Sequence, residues 1–257
     1  MEAEKVDNYE DAEANPQVLV GAGSSTPAEL TKIRLMRAIV EAKDPYAKEA
    51  DDLMIRRFLR ARDLDIEKSS AMFLKYLRWR RSIVPNGFIS ESEIPNELAQ
   101  EKVYMQGVDK KGRPIVITFG AKHYQNPDGL DELKRLWTYI FDKVTSRIPP
   151  GQEKFVVVAD LKGWRYANSD IRGYLACLSI LQDYFPERLA KIFIVHASSI
   201  FMTFWKTVYP FIDNKTKKKI MFVEKSKIKS ALMEEIDESQ IPEIYGGQLP
   251  LVRIQDS

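Results

Sequence analysis

The chain has 257 residues, 44% apolar and 11% aromatic, enough to fill a substantial core. Its apolar run Phe155 to Ala159 is as long as any and falls far short of the roughly 20 residues of a membrane-spanning helix, while the single cysteine, Cys177, excludes an internal disulfide and fits a reducing compartment. The formal charge of +2 is uneven: residues 1–30 carry seven acids against Lys5, so the rest of the chain is basic and suited to an anionic partner.

Residues 1–28 read as a disordered acidic leader, broken by Pro16, Gly21, Gly23 and Pro27. The start is acidic where a secretory leader is basic and then apolar, so no signal peptide is expected. Gly21-Ala-Gly23-Ser-Ser is only superficially a phosphate loop, because no strand precedes it and no G-K-[ST] follows. From Pro27 to about Val84 the periodicity is helical. Asp51 or Asp52 caps one helix carrying Leu53, Ile55, Phe58 and Leu59; Asp65 caps another on which Met72, Phe73, Tyr76, Leu77 and Ile83 recur three and four apart. Pro85-Asn-Gly ends this small subdomain, which needs to dock on the remainder of the chain.

Beyond Lys102 short β-type runs alternate with helices. Strands are expected at Val103 to Val108 and Pro114 to Phe119, joined by the turn Asp109-Lys-Lys-Gly112, then at Phe155 to Asp160, Lys191 to His196 and Lys219 to Val223. Helices are expected at about Leu130 to Ser146, Asp170 to Tyr184, Ile200 to Phe211 and Ile228 to Asp237. The last three strands are apolar throughout, as in a covered parallel sheet. The fold class is α/β, with an N-terminal helical subdomain and a mostly parallel five-stranded sheet.

Catalytic constellations are thin. The chain lacks G-x-S-x-G, H-E-x-x-H, C-x-x-C, a P-loop and a strand-following G-x-G-x-x-G, so neither catalytic residues nor a metal site are expected. His196 reads as a satisfied polar group at a strand end, His123 as a surface loop residue and Cys177 as a small buried hydrophobe. Asp160 ends an apolar strand as catalytic carboxylates do, but no second group at a telling spacing supports that role.

The segment Ile200 to Phe211 is apolar nearly all round, and Lys215, Lys217, Lys218, Lys219, Lys225 and Lys227 follow it. A core helix beside a solvated basic face is one reading. The charge favours another: aromatic and aliphatic groups sink to the headgroup level of a membrane while each nearby lysine gains about 1 kcal/mol from anionic lipid. Nucleic acid is not expected, since base readers set arginines and exposed aromatics together on a sheet or recognition helix.

Four segments carry a family likeness: R-R-F-L-R-A-R from Arg56 to Arg62, D-K-K-G-R-P from Asp109 to Pro114, Y-F-P-E-R-L-A-K from Tyr184 to Lys191, and I-P-E-I-Y-G-G from Ile241 to Gly247. With V-V-V-A-D-L-K-G before Trp164, they span about residues 30 to 250. The chain resembles the CRAL-TRIO lipid-binding proteins, and among them the phosphatidylinositol transfer proteins of the yeast Sec-fourteen type and their plant relatives. The resemblance implies a helical lobe over residues 29–88, a lipid-binding domain over 89–252 with a short tail at 253–257, and a sheet flooring a lipid pocket. A gate helix carrying Phe201, Phe204, Trp205, Val208 and Phe211 would close over the acyl chains and swing into the bilayer during exchange.

By that resemblance Arg62 and Lys219 would neutralise a lipid phosphate, Glu187 and Thr216 would bond inositol hydroxyls, and Asp213 is a weaker candidate for the same ring. Lys215, Lys217, Lys218, Lys225 and Lys227 would form a membrane-facing basic patch. The implied protein is a cytoplasmic, peripherally membrane-associated monomer that carries phosphatidylinositol, needs no cofactor and is not an enzyme. A lipid kinase or another protein could read its acidic leader. Two other readings stand beside it: a phosphoinositide-binding adaptor that moves no lipid, and a carrier of a hydrophobic vitamin or terpenoid. The chain also departs from the family. Asp63 stands where yeast-type proteins have a lysine; Trp164 to Ser169 replaces a serine-rich stretch; and Val116 and Ile117 occupy positions where an aromatic hydroxyl is common. These changes argue against phosphatidylcholine as a second ligand and leave room for a sterol or isoprenoid.

Overall fold

The computed structural model describes residues 25–126 and 128–257, so most of the expected acidic leader, with Gly21 to Ser24, lies outside the described residues. Its end comes earlier than expected, because helix α1 (Pro27–Lys43) opens at Pro27: Thr26 and Glu29 exchange capping-box hydrogen bonds and Pro27 fills the first turn. Helices α2 (Asp52–Ala61) and α3 (Ile66–Ile83) are capped by Asp51 and Asp65, whose carboxylates accept from Met54 N at 2.6 Å and Lys68 N at 3.0 Å. Ile33, Met36 and Val40 of α1 meet Phe58 of α2 and Phe73 of α3 in one core, with Phe58 edge-on to Phe73 at 5.1 Å.

This lobe docks on the rest of the chain through aromatic stacking and charge. Trp79 stacks on Tyr184 at 3.9 Å, Arg80 meets Asp142 at 2.7 Å, and Arg56 and Arg57 both reach Glu153. Arg56 is fully buried, so losing Glu153 would strand a charge at a cost of about 3–5 kcal/mol. The R-R-F-L-R-A-R segment thus lies on the docking side of the lobe.

After the short α4 (Pro95–Ala99), the second lobe is a five-stranded sheet in the order β1-β2-β3-β4-β5. Strands β1 (Val103–Val108) and β2 (Pro114–Phe119) form an antiparallel hairpin; β3 (Phe155–Asp160), β4 (Leu189–Val195) and β5 (Ile220–Val223) continue parallel to β2. In the hairpin turn Asp109 accepts from the amides of Lys111 and Arg113, and Gly112 supplies a φ of 72°. Strands β4 and β5 are offset from their expected bounds by one or two residues, leaving His196 just past β4 and Lys219 just before β5.

The period-two alternation sorts the strand residues onto two faces. Ile115, Ile117, Val156, Val158, Phe193 and Val195 pack on Ile228 and Leu232 of helix α9 (Ile228–Glu235), on Ile236 just past it and on Tyr245. The I-P-E-I-Y-G-G segment makes that possible, since a Cβ at Gly247 would collide with the Ile241 carbonyl. Helices α5 (Leu130–Ser146) and α6 (Ile171–Tyr184) cover the other face, and both faces being covered explains why the inner strands carry little but apolar residues. The greasy segment forms α7 (Ser199–Val208) and then a 3₁₀ turn, Tyr209–Phe211, because Pro210 brings no N–H to continue the helix. Helix α8 (Asn214–Lys217) leads into β5. No described helix is long and apolar enough to cross a membrane.

Candidate functional site

Between the sheet and helices α5, α6 and α7 lies an apolar cavity. Val116 and Thr118 of β2, Phe155, Val157 and Ala159 of β3, Ile192 and Ile194 of β4 and Ile220 of β5 form its floor. Trp137, Ile140 and Phe141 of α5, Tyr174, Cys177, Leu178 and Leu181 of α6, and Phe201, Phe204, Trp205 and Val208 of α7 wall and roof it. Its volume is about 210 Å³. A protein interior is normally close-packed, so a space this large is a binding feature and not a packing fault.

Helix α7 decides between the two readings of the greasy segment. Its inner face is buried, with Phe201, Phe204 and Val208 no more than 8% exposed, whereas Ile200 and Met202 on the outer face are 40% and 37% exposed. It is therefore a roof whose outer face mixes Ile200 and Met202 with Thr203, Lys206 and Thr207. Ser198 caps it, and Trp164 packs against Phe201 and Phe204, both at 5.3 Å, while donating its indole N–H to Tyr174 Oη at 3.2 Å. At the other end Gln182 of α6 accepts from Asp213 N at 2.8 Å and donates to the Phe211 carbonyl at 3.4 Å. Phe211 itself departs from expectation: it does not line the cavity and stands 59% exposed, because the turn at Pro210 carries it off the inner face.

Where β4 and β5 begin, a polar cleft adjoins the cavity, and Leu181 and Thr216 line both. Arg62, Glu187, Asp213, Thr216 and Lys219, drawn from three separate segments of the chain, all line this cleft. Arg62 ends α2, one Nη donating to the Ala61 carbonyl and the other 3.9 Å from Asp183. Glu187 follows Pro186 in the turn before β4 at a φ of 59°, a conformation that normally selects glycine, and its nearest cation is Lys154 at 3.7 Å. Asp213 caps α8: its carboxylate accepts the Thr216 amide at 2.8 Å and the Thr216 hydroxyl at 2.7 Å. Burial pushes the Asp213 pKa up, but those bonds more than offset it and the carboxylate titrates below its usual range.

Lys219 differs from the other charged groups of the cleft in that its ammonium has neither a hydrogen bond nor an ion pair among the described residues. Burial lowers its pKa and Glu187 opposes the shift. Lys215 lines the rim of the cleft and pairs with the exposed Asp63 at 2.7 Å. Of the rest of the expected patch, Lys217 lies over the Tyr209 ring at 4.4 Å, Lys227 pairs with Glu224 at 3.0 Å, and Lys218 and Lys225 are exposed. These lysines flank the exposed Tyr209, Phe211 and Phe222.

The two histidines divide. His196, at a φ of 56°, bonds Asp160 Oδ1 through Nδ1 at 2.8 Å, and Tyr245 Oη donates to Asp160 Oδ2 at 2.9 Å, so that carboxylate is structurally engaged. His123 is not the surface residue expected from its loop position. It is 9% exposed, with Nδ1 2.9 Å from Lys102 Nζ and Nε2 3.2 Å from Asp170 Oδ2; burial and Lys102 push its pKa down to about 4. Cys177 lines the cavity, where burial pushes its thiol far up and keeps it protonated. Asp183, Gln182 and the Lys215–Asp63 pair escaped sequence reasoning. Only the charge change at Asp63 could have signalled any of them.

The helical lobe, the covered sheet and the roofed cavity define the class: residues 98–247 match the CRAL/TRIO domain, and the chain belongs to that family. It is 31% identical over 270 residues to the CRAL-TRIO domain-containing protein YKL091C of Saccharomyces cerevisiae, covering 91% of this chain and 82% of that protein. It is 32% identical over 219 residues to the phosphatidylinositol/phosphatidylcholine transfer protein SFH12 of Arabidopsis thaliana, covering 78% of this chain but only 40% of that protein. The crystal structure of Sfh5 shares the fold, with a TM-score of 0.61 at 16% identity, over 81% of this chain and 85% of that one.

Proposed function

We propose that this chain binds single phosphatidylinositol molecules and transfers or presents them at the cytosolic face of membranes. The observation that carries the reading is Lys219, half-buried and unpaired at the junction between an apolar cavity and a polar cleft. Two acyl chains hold on the order of 30 methylenes, each costing about 0.8 kcal/mol in water, so a carrier needs a cavity that imitates the bilayer. Tail affinity then nearly cancels between cavity and membrane, and the headgroup decides. Lys219 and Arg62 supply the cations that a desolvated phosphate requires. Glu187 accepts inositol hydroxyls, and so does Thr216 Oγ1, whose own proton is held by Asp213.

Glu187 adds support: a non-glycine residue kept at a positive φ beside a cleft costs about 1–3 kcal/mol and is a common mark of a side chain needed for function. Helix α7, buried on its apolar inner face and exposing Ile200 and Met202 on the outer one, suits a roof that meets acyl chains in either state, with Lys217, Lys218 and Lys225 facing anionic lipid. The relatives named as transfer proteins agree with this reading. The test is transfer of labelled phosphatidylinositol from donor to acceptor vesicles. Transfer supports the proposal; vesicle binding with no movement of lipid replaces it with the adaptor reading.

A further inference from the structure

The segment Trp164 to Ser169, where this chain departs from its family, serves neither the cavity nor the headgroup cleft, since none of its residues lines either. It is nevertheless a built loop. Trp164 is buried against α7, and Asn168, only 2% exposed, donates to the Ala121 carbonyl at 3.1 Å and to the His123 carbonyl at 2.9 Å. The Asn168 Oδ1 also accepts the Arg165 amide at 2.8 Å, and Asp170 caps α6 by accepting the Gly173 amide at 2.9 Å. Backbone pinned at so many points presents fixed side chains. At its tip Tyr166 stands 66% exposed, and Ile171, the first residue of α6, is 41% exposed.

The charge around that tip has one sign. Lys162, Arg165 and Arg172 are exposed, whereas the only acid between Leu161 and Gly173 is Asp170, buried as the helix cap. Neither Lys162 nor Arg165 enters an ion pair among the described residues. A tyrosine flanked by uncommitted cations matches the layered chemistry of a lipid headgroup region, where the ring rests at the interface and the cations meet phosphates.

Position selects the same partner. Trp164 packs on Phe201 and Phe204, which fixes the loop at the N-terminal half of α7, where Ile200 and Met202 are also exposed. About 15 Å along this ten-residue helix, Trp205 contacts Tyr209 and Phe222, in the region of Lys217, Lys218 and Lys225. Two basic and aromatic patches thus lie at the two ends of the roof. We infer that the loop from Lys162 to Arg172 is a second membrane anchor, placing Tyr166 and Ile171 at the headgroup level of an anionic bilayer with Lys162 and Arg165 on its phosphates. The protein is then held at both ends of α7, and once one patch has docked the other binds as an intramolecular event. This inference rests on the membrane-facing part of the function proposed above.

The test is sedimentation with phosphatidylcholine vesicles, with and without phosphatidylserine, at low and high salt. Each cation near an anionic surface contributes about five-fold to binding, so Lys162→Gln/Arg165→Gln should weaken association with the anionic vesicles roughly 20- to 30-fold at low salt and less at high salt. Tyr166→Ala should weaken it about three- to ten-fold at either salt, because it removes apolar contact and no charge. Both variants should keep the wild-type melting temperature and the wild-type loading of a short-chain, water-soluble phosphatidylinositol, since these residues line neither cavity nor cleft. Lys217→Gln/Lys218→Gln, at the far end of the helix, is the comparison. If that pair weakens vesicle binding and the loop variants do not, the second anchor is overturned while the membrane reading stands; if neither has an effect, the membrane reading falls as well. Loss of soluble-lipid loading in step with vesicle binding would make the loop a structural support and also overturn the anchor.

Discussion

Lys215 Nζ lies 2.7 Å from Asp63 Oδ1 and 2.7 Å from the Arg60 carbonyl, tying the segment after helix α7 to the helical lobe. The pair occupies a cation that lines the headgroup cleft, whose acids Asp183, Glu187 and Asp213 already balance Arg62, Lys215 and Lys219. A ring phosphate on inositol would find little positive charge to receive it. Asp63→Lys frees Lys215 and adds a cation, and is expected to raise the binding of phosphatidylinositol 4-phosphate relative to phosphatidylinositol about five-fold. Sedimentation with vesicles of each lipid measures the ratio, and an unchanged ratio would show that the pair does not set headgroup choice.

Removing the cleft cations tests the phosphate assignment. Hydrogen bonds to charged groups contribute about 1.5–3 kcal/mol, so Lys219→Ala and Arg62→Ala should each lower phosphatidylinositol loading roughly 10- to 100-fold. Docking on anionic vesicles should change little, because Lys217, Lys218 and Lys225 lie outside the cleft. Normal loading by both variants would refute the assignment.

Glu187 sets function against stability. Its φ of 59° strains any side chain, so Glu187→Gly is expected to stabilise the fold by up to about 1 kcal/mol after the entropy of the added glycine is counted. Urea denaturation reads the gain, and the same variant should load phosphatidylinositol poorly. A variant that becomes less stable while loading normally would reverse the interpretation.

Much of this was legible in the sequence, for identifiable reasons. Apolar runs such as Phe155 to Ala159, bounded by polar turns, place the strands within two residues, and the Asp51 and Asp65 caps set the helix starts. Arg62, Glu187, Thr216 and Lys219 came from motif likeness, because spacing along a chain does not report which loops meet at one sheet edge. His123 was misread because its partners Lys102 and Asp170 lie 21 and 47 residues away, and no periodicity registers such a pairing. Thr118 and Tyr174 were invisible for a different reason: a hydroxyl inside an apolar pattern looks like filler until the space in front of it is known.

His123 also gives the fold a pH dependence of known sign. Its native pKa is about 4 against 6.5 in an unfolded chain, so the unfolded state binds the extra proton between those values. The stabilisation is full above about pH 6.5, is lost as pH falls toward 4, and amounts to at most about 3 kcal/mol. His123→Asn should flatten the stability profile between pH 6.5 and 4, measured by urea midpoints at each pH. An unaltered slope would assign the acid sensitivity to other groups.

The apolar cavity above the strands makes any ligand it binds part of the folding equilibrium. Side chains such as Phe155 and Ile194 face a void when nothing occupies it and forgo the dispersion contacts that an ordinary core supplies. A bound lipid restores those contacts in the native state alone, so the midpoint of unfolding rises with lipid concentration. Quality control that removes unfolded chains would then deplete the empty protein first and tie its abundance to the supply of its cargo.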